Sequence, residues 1–292
     1  MNDFTIKDLE NLSGIKAHTI RIWEQRYNFL KPKRTDTNIR FYSNEELKTL
    51  LNIALLNKYG FKLCHIDRMC HQEICAKVLT LNEGDAVQQR VVNDLVRYMV
   101  DLETEKFEAI VHKYIQENSI EATVKEIIFP FLDKIGILWQ TGHIMPAQEH
   151  FVSNIIRQKL IVAIDGVPHS RQPIKKAVLF LPEGEHHELG LLFLYYMLKR
   201  KGIKVIYLGA NVPMSDVQNV IEMIRPNIAF IHLTSTCPNF NFEKLIHKIP
   251  SQMDNLPTVI SGFPTHKYGK DLPPCVSFKK TLTEITDFIA DL

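Results

Sequence analysis

The sequence predicts a multidomain chain in which a small helical head with a β-wing and a helix bundle precede a doubly wound parallel sheet. Three observations carry that prediction. Residues 1–80 are short helical patterns around a basic, turn-rich loop. Residues 81–165 repeat apolar positions every three or four residues with almost no strand signal. From Lys176 onward, five short apolar runs (KAVLFLP, KVIYLG, NIAFIHLT, PTVISG and CVSF) alternate with helical stretches. Strands that alternate with helices make βαβ units, whose sheet is parallel and covered on both faces. GVPHSRQP, with two prolines, a glycine and a serine, reads as a linker over 166–174 that leaves 175–292 to the sheet domain.

Whole-chain quantities bound the rest. A chain of 292 residues suits two or three domains, and 45% apolar with 23% charged residues suits a globular protein. No apolar run approaches the roughly 18 residues of a membrane span. MNDFTIKDLE lacks the apolar core of a secretion signal, so a cytoplasmic protein without membrane contact is expected. Five cysteines, an odd set in a long chain, point to free thiols. Net charge is only +2, but seven Lys and Arg face two acids between Lys16 and Tyr42. The head is locally basic.

In FTIKDLENLSGI, Thr5 is a candidate helix cap, and Ile6, Leu9 and Leu12 share one face. Gly14 permits a tight turn. KAHTIRIWEQRY then gives a second helix burying Ile20 and Trp23, with Tyr27 a further candidate, while His18, Arg21 and Gln25 point outward. Two such helices form a helix-turn-helix, whose second helix can enter a DNA major groove. LKPKRTDTNIRFYS suits a β-wing that lays Arg34 and Arg40 on phosphates. SNEE, Ser43 to Glu46, reads as a capping box for the helix that follows. On these patterns alone, a small helical domain with a merely solvated basic loop remains open.

TIRIWEQRYNFLKPKRTDTNIRFYS is similar to the DNA-binding domain of MerR-type transcription regulators. The likeness rests on a W-E-x-R run at Trp23, Glu24 and Arg26, and on a wing pattern at Arg34, Asn38, Arg40 and Tyr42. The resemblance implies double-stranded operator DNA as partner and at least a homodimer. Arg21, Arg34 and Arg40 would mainly meet phosphate, and Lys16 and His18 would reach base edges. Asn38 and Tyr42 complete the expected DNA-binding set. Further on, CHIDRMCHQEIC holds three cysteines and two histidines but no CxxC pair. Cys64, His71 and Cys75 could share a helix face, as core residues would, so core packing or polar surface is expected over metal sensing.

The pattern from Val92 to Ile164 predicts a four-helix bundle, in its plain reading a dimerising or spacer element. WQTGHIMPAQEH would bring the indole of Trp139, the carboxylate of Glu149 and the imidazole of His150 to one end of it. Its W-x9-E-H spacing, with NIIRQKL after it, is similar to the cap of cobalamin-binding, light-sensing regulators of the CarH/LitR kind. Some members carry a histidine directly after the tryptophan. Here that position is Gln140, with His143 and His150 as nearby imidazoles.

EGEHHELG, Glu183 to Gly190, falls at the end of the first expected strand, where parallel sheets bind ligands. Gly184 and Gly190 allow a sharp turn and a close approach. A histidine here can offer a ring nitrogen outward, oriented by an acid two residues earlier. Glu185-x-His187-x-x-Gly190 resembles the D/E-x-H-x-x-G motif of cobalamin-binding domains. The resemblance makes His187 the lower ligand of cobalt, in place of the cofactor's own dimethylbenzimidazole, and leaves His186 on the surface. The family motif continues with S-x-L and then G-G. These fall on His232-Leu233-Thr234, after 41 intervening residues from Gly190, and on Ser261-Gly262 after 26 more. His232 thus stands for a serine, and Ser261 for a glycine, beside the displaced nucleotide arm. Glu185, His187, Gly190, His232, Thr234, Ser261 and Gly262, with Trp139, Glu149 and His150, form the expected cofactor set.

The likeness spans nearly the whole chain in family order, so the fold class expected is a winged helix-turn-helix head, a four-helix-bundle cap and a Rossmann-like (flavodoxin-like) cobalamin-binding domain. It implies a repressor that holds cobalamin between bundle and sheet, adenosylcobalamin in preference to methylcobalamin. In the family, dark binding drives dimers into homotetramers on DNA, and light breaks the cobalt–carbon bond and dissolves them. No nucleophile–base pair accompanies the module, so no enzyme is expected. The alternative is a MerR-type regulator whose C-terminal domain ignores cobalamin and docks a protein antirepressor. A corrinoid carrier is a third reading, disfavoured by the head.

Overall fold

The structure, a computed structural model, describes residues 4–81, 83–140, 144–170, 173, 175–234 and 240–292, with only the backbone of 137–140. The chain divides into two compact units, one ending at Ile155 and the other beginning at Ile156.

The first unit opens with β1 (Phe4–Thr5), α1 (Ile6–Ser13), α2 (Ala17–Arg26), β2 (Lys33–Arg34) and β3 (Arg40–Tyr42). The three strands pair antiparallel in the order β1-β3-β2. Thr5 and Asp8 form a reciprocal capping box at the start of α1, with the Thr5 N–H donating to Asp8 Oδ2 at 2.7 Å. A left-handed Gly14 (φ +74°) ends the helix. Ser43 and Glu46 repeat the box at α3 (Asn44–Lys58). Such caps contribute about 1 kcal/mol each. Phe4, Leu9, Ile20, Trp23, Tyr42, Leu47 and Leu50 make the buried centre of the head.

Next come α4 (Leu63–Ile66), α5 (His71–Leu79), α6 (Gly84–Val100), α7 (Thr104–Glu117), α8 (Ile120–Thr123), a π-helical turn (Val124–Ile128), α9 (Phe129–Gln140) and α10 (Pro146–Gly166). The widened turn precedes Pro130, which has no N–H to give the Glu126 carbonyl. The Glu126 carboxylate accepts from Tyr114 Oη at 2.9 Å and from Gln88 Nε2 at 3.0 Å, tying α6 and α7 to that turn. Asp101 accepts from Lys48 Nζ at 2.6 Å and from Asn44 Nδ2 at 3.2 Å, fastening α3 to the end of α6. Cys64 and Cys70 are exposed, and Cys75 Sγ lies 3.6 Å from His71 Nε2.

The second unit is a five-stranded, all-parallel sheet in the order β5-β4-β6-β7-β8. Its strands are β4 (Lys176–Pro182), β5 (Lys204–Val212), β6 (Ile228–Leu233), β7 (Thr258–Gly262) and β8 (Val276–Lys279). The helices are α11 (Leu189–Arg200), α12 (Met214–Ile224), α13 (Phe242–Gln252), the short α14 (Pro264–Lys267) and α15 (Leu282–Ala290). Alternation along the strands sorts the core. Ala177, Leu179, Leu181, Phe230 and Val259 pack on α11 and α15, while Val178, Phe180, Ile231 and Ile260 pack on α12 and α13. The sheet is covered on both faces. The winding reverses between β4 and β6, and in this topology ligands bind outside the carboxyl ends of the strands at that point. Among the described residues, no helix is long and apolar enough to cross a membrane.

Candidate functional site

Two regions gather the chemistry, and the first is the head. Lys16, His18 and Arg21 are exposed along the start of α2, with Lys16 Nζ 3.4 Å from Glu10. The wing is held from beneath by Glu24 of α2, a residue whose role the motif alone did not reveal. Its Oε2 accepts from Arg40 Nε at 2.8 Å and its Oε1 from Arg34 Nη2 at 3.2 Å. Arg34 Nη1 also donates to Asn38 Oδ1 at 2.8 Å, and Asn38 turns the wing in the left-handed region (φ +64°). Tyr42 is a correction. It is fully buried, paired in register with Phe4, and burial pushes its hydroxyl up to about 12. Its side chain packs the head and cannot face DNA.

The second region lies at the carboxyl ends of β4 and β6. Gly184, left-handed at φ +86°, turns the chain out of β4, and its N–H donates to Asn211 Oδ1 at 2.9 Å. The Asn211 N–H donates in turn to the Glu185 carbonyl at 3.1 Å, so the end of β5 supports the loop. The Glu185 side chain is buried (3% exposed), and its Oε1 accepts from the N–H groups of His186 and His187, both at 2.9 Å. The same oxygen lies 2.6 Å from His187 Nδ1. A carboxylate against Nδ1 fixes the proton there and leaves the ring's lone pair on Nε2, the arrangement of a metal-ligating histidine. The His187 side chain is 53% exposed.

Glu188, at the start of α11, accepts from Arg157 Nε at 2.6 Å and from Tyr207 Oη at 2.8 Å. Tyr207 stacks on Tyr195, and burial with that carboxylate raises its hydroxyl far above the usual phenol value. These partners come from α10, β5 and α11, and no local motif announces them.

Beside the loop, His232 of β6 points to the α11 side of the sheet. Its Nδ1 lies 2.9 Å from Ser261 Oγ. A Cβ on Gly190 would collide with Cδ2 and Nε2 of that ring and lie 2.9 Å from Cγ, so only glycine leaves it room. Burial pushes the His232 imidazole down to about 4, with the Glu185 charge pulling weakly the other way. Gly262 (φ +102°) passes the Leu233 carbonyl too closely for any side chain, and Thr234 is exposed just past β6. In the helical segment, Glu149 accepts from Ser153 Oγ and lies 3.7 Å from the largely exposed His150. The side chains of Trp139 and Gln140, and all of His143, lie outside the described residues.

Residues 4–73 match the family described as MerR HTH family regulatory protein. Residues 91–163 and 175–274 each match a B12 binding domain. The chain joins a MerR-type head to two B12-binding domains. It is homologous to two transcriptional repressors. The HTH-type transcriptional repressor CarA of Myxococcus xanthus is 27% identical over 273 residues, 91% of this chain and 88% of that protein. The HTH-type transcriptional repressor CarH of the same organism is 24% identical over 266 residues, 89% of this chain and 88% of that protein. Among solved structures, the monomethylamine corrinoid protein of Methanosarcina barkeri superposes with a TM-score of 0.56 at 13% identity, over 70% of this chain and 99% of that one. That likeness concerns the fold.

The loop fits a corrinoid. Among the described residues no three His, Cys, Asp or Glu side chains gather as a site for a free metal ion. One oriented imidazole suits a metal that brings its other ligands on a macrocycle. The crevice beside Gly190 fits only in part, because the His232 ring stands in it.

Proposed function

We propose that this chain is a DNA-binding transcriptional repressor that senses adenosylcobalamin and, through it, light. The reading divides the chain into a head (1–80), a cap (81–165), a linker (166–174) and a cofactor domain (175–292), and it assigns no enzymatic reaction. The carrying observation is the Glu185–His187 pair, a buried carboxylate 2.6 Å from the Nδ1 of a half-exposed imidazole. His187 Nε2 is the proposed cobalt ligand and Glu185 its orienting partner. Trp139, Glu149 and His150 would be the contacts from the helical segment. When bound, adenosylcobalamin supplies a cobalt–carbon bond that visible light cleaves. Lys16, His18, Arg21, Arg34, Asn38 and Arg40 are the proposed DNA contacts. A homodimer that becomes a cobalamin-dependent homotetramer in the dark would hold operator DNA, in the cytoplasm where that DNA is. The B12 binding domain matches and the homologous repressors support this reading, and a C-terminal domain that docks a protein antirepressor is the alternative.

The test is spectroscopic. Purified protein is incubated with adenosylcobalamin in darkness, freed of excess, and its visible spectrum and oligomeric state are recorded before and after green light. Retention of the corrinoid by the wild type, its loss in His187→Ala, and a smaller assembly after light are expected. A wild type that retains no corrinoid refutes the reading.

A further inference from the structure

The reversal point between β4 and β6 is the part of this topology where a ligand enters, and in this chain a side chain already occupies it. Strand alternation turns His232 toward α11, where its ring fills the space a Cβ on Gly190 would take. Ser261, 4% exposed on the neighbouring strand, holds the ring through its hydroxyl at 2.9 Å. Moving the imidazole away would break the Ser261 contact and empty the space over Gly190.

Resting on the corrinoid reading above, we infer that His232 is a specificity-determining plug, which lowers the affinity for corrinoids carrying a nucleotide arm relative to those without one, while adenosylcobalamin is still bound. A corrin ring held by His187, three residues before Gly190, would lie beside this crevice without having to enter it. A nucleotide arm on the His187 side of such a ring would need room on that same side, where the ring of His232 occupies the space over Gly190. Expelling a packed, hydrogen-bonded side chain costs roughly a factor of ten in affinity. Because burial keeps the imidazole neutral, protonation near neutral pH does not open the crevice.

The experiment compares cyanocobalamin with cyanocobinamide, which lacks the nucleotide arm, as ligands of the full chain and of His232→Ala by equilibrium dialysis. The cobalamin-to-cobinamide affinity ratio should rise about tenfold in the variant. Taking that ratio within each protein cancels any general loosening of the loop. A second measurement needs no corrinoid. Gly190→Ala should lower Tm by about 5 °C in the wild type and far less in a His232→Ala background, because the three atoms nearest that space all belong to the imidazole. An unchanged affinity ratio, with both corrinoids bound, overturns the plug and leaves the cofactor reading standing. Equal tolerance of Gly190→Ala in both backgrounds also overturns the plug. Binding of neither corrinoid by either protein overturns the cofactor reading and the plug together.

Discussion

The wing and the β4–β6 crevice are both organised by a carboxylate, and they use it differently. Glu24, its side chain 12% exposed, lies beneath two more open arginines, of which Arg34 is 42% and Arg40 21% exposed. It gathers positive charge that water already solvates. Glu185 is buried, accepts two backbone N–H groups, and decides which nitrogen of His187 carries the proton. Ion pairs at a surface contribute at most about 1 kcal/mol, whereas a buried polar group left unsatisfied costs more. Changes in the crevice should therefore have large effects and changes in the wing small ones.

The largest expected effect is on stability against pH. His232 holds a folded-state value near 4 against an ordinary 6.5, so between these values the unfolded chain binds a proton that the folded chain refuses. Stability of the second unit should fall as pH drops through that window, by on the order of 3 kcal/mol in total. Denaturant unfolding at pH 7.5 and 4.5 measures it, and His232→Ala should flatten the dependence. An equal loss in the variant would mean that other groups drive it.

Glu185→Gln comes next. The amide keeps the shape but removes the charge that orients His187, and the loss of such a supporting partner typically costs 10–100-fold in metal affinity. Corrinoid affinity of the variant, read by dialysis, should fall in that range. A fall below threefold would mean that the backbone alone aims the ring, and Glu185 would then resemble Glu24.

What the sequence revealed and what it hid follow from range. The five strands were legible because each is an apolar run closed by glycine, proline or a polar turn. The helix cap at Thr5 and the capping box at Ser43 were legible because four consecutive residues contain each. Glu185 and His187 are two residues apart, and their pairing needed only a turn. Glu188 with Arg157 and Tyr207, and Gly190 with His232, depend on strands being wound together, and no local pattern encodes that. Tyr42 misled for a different reason. It shares a strand face with Arg40, but a two-residue step of about 7 Å carries β3 from the wing into the head's core. Position along the strand, rather than its face, separates DNA side from core.

The wing carries the smallest expected effects. If Arg34 and Arg40 contact phosphate, each neutralises one charge and releases counterions, so each alanine variant should lower the slope of log affinity against log salt by about 0.9. A random duplex suffices, because phosphate contacts carry no sequence information. Arg40→Ala should weaken binding less than tenfold at moderate salt and equally on unrelated duplexes. Arg34→Ala should match it, and Glu24→Gln should leave the slope within error while loosening the wing. A slope unchanged in both arginine variants would show that the brace holds these guanidiniums away from DNA. The salt dependence would then have to come from Lys16 and Arg21 on α2, and the wing would be a support for the recognition helix in the same sense that Asn211 supports the histidine loop.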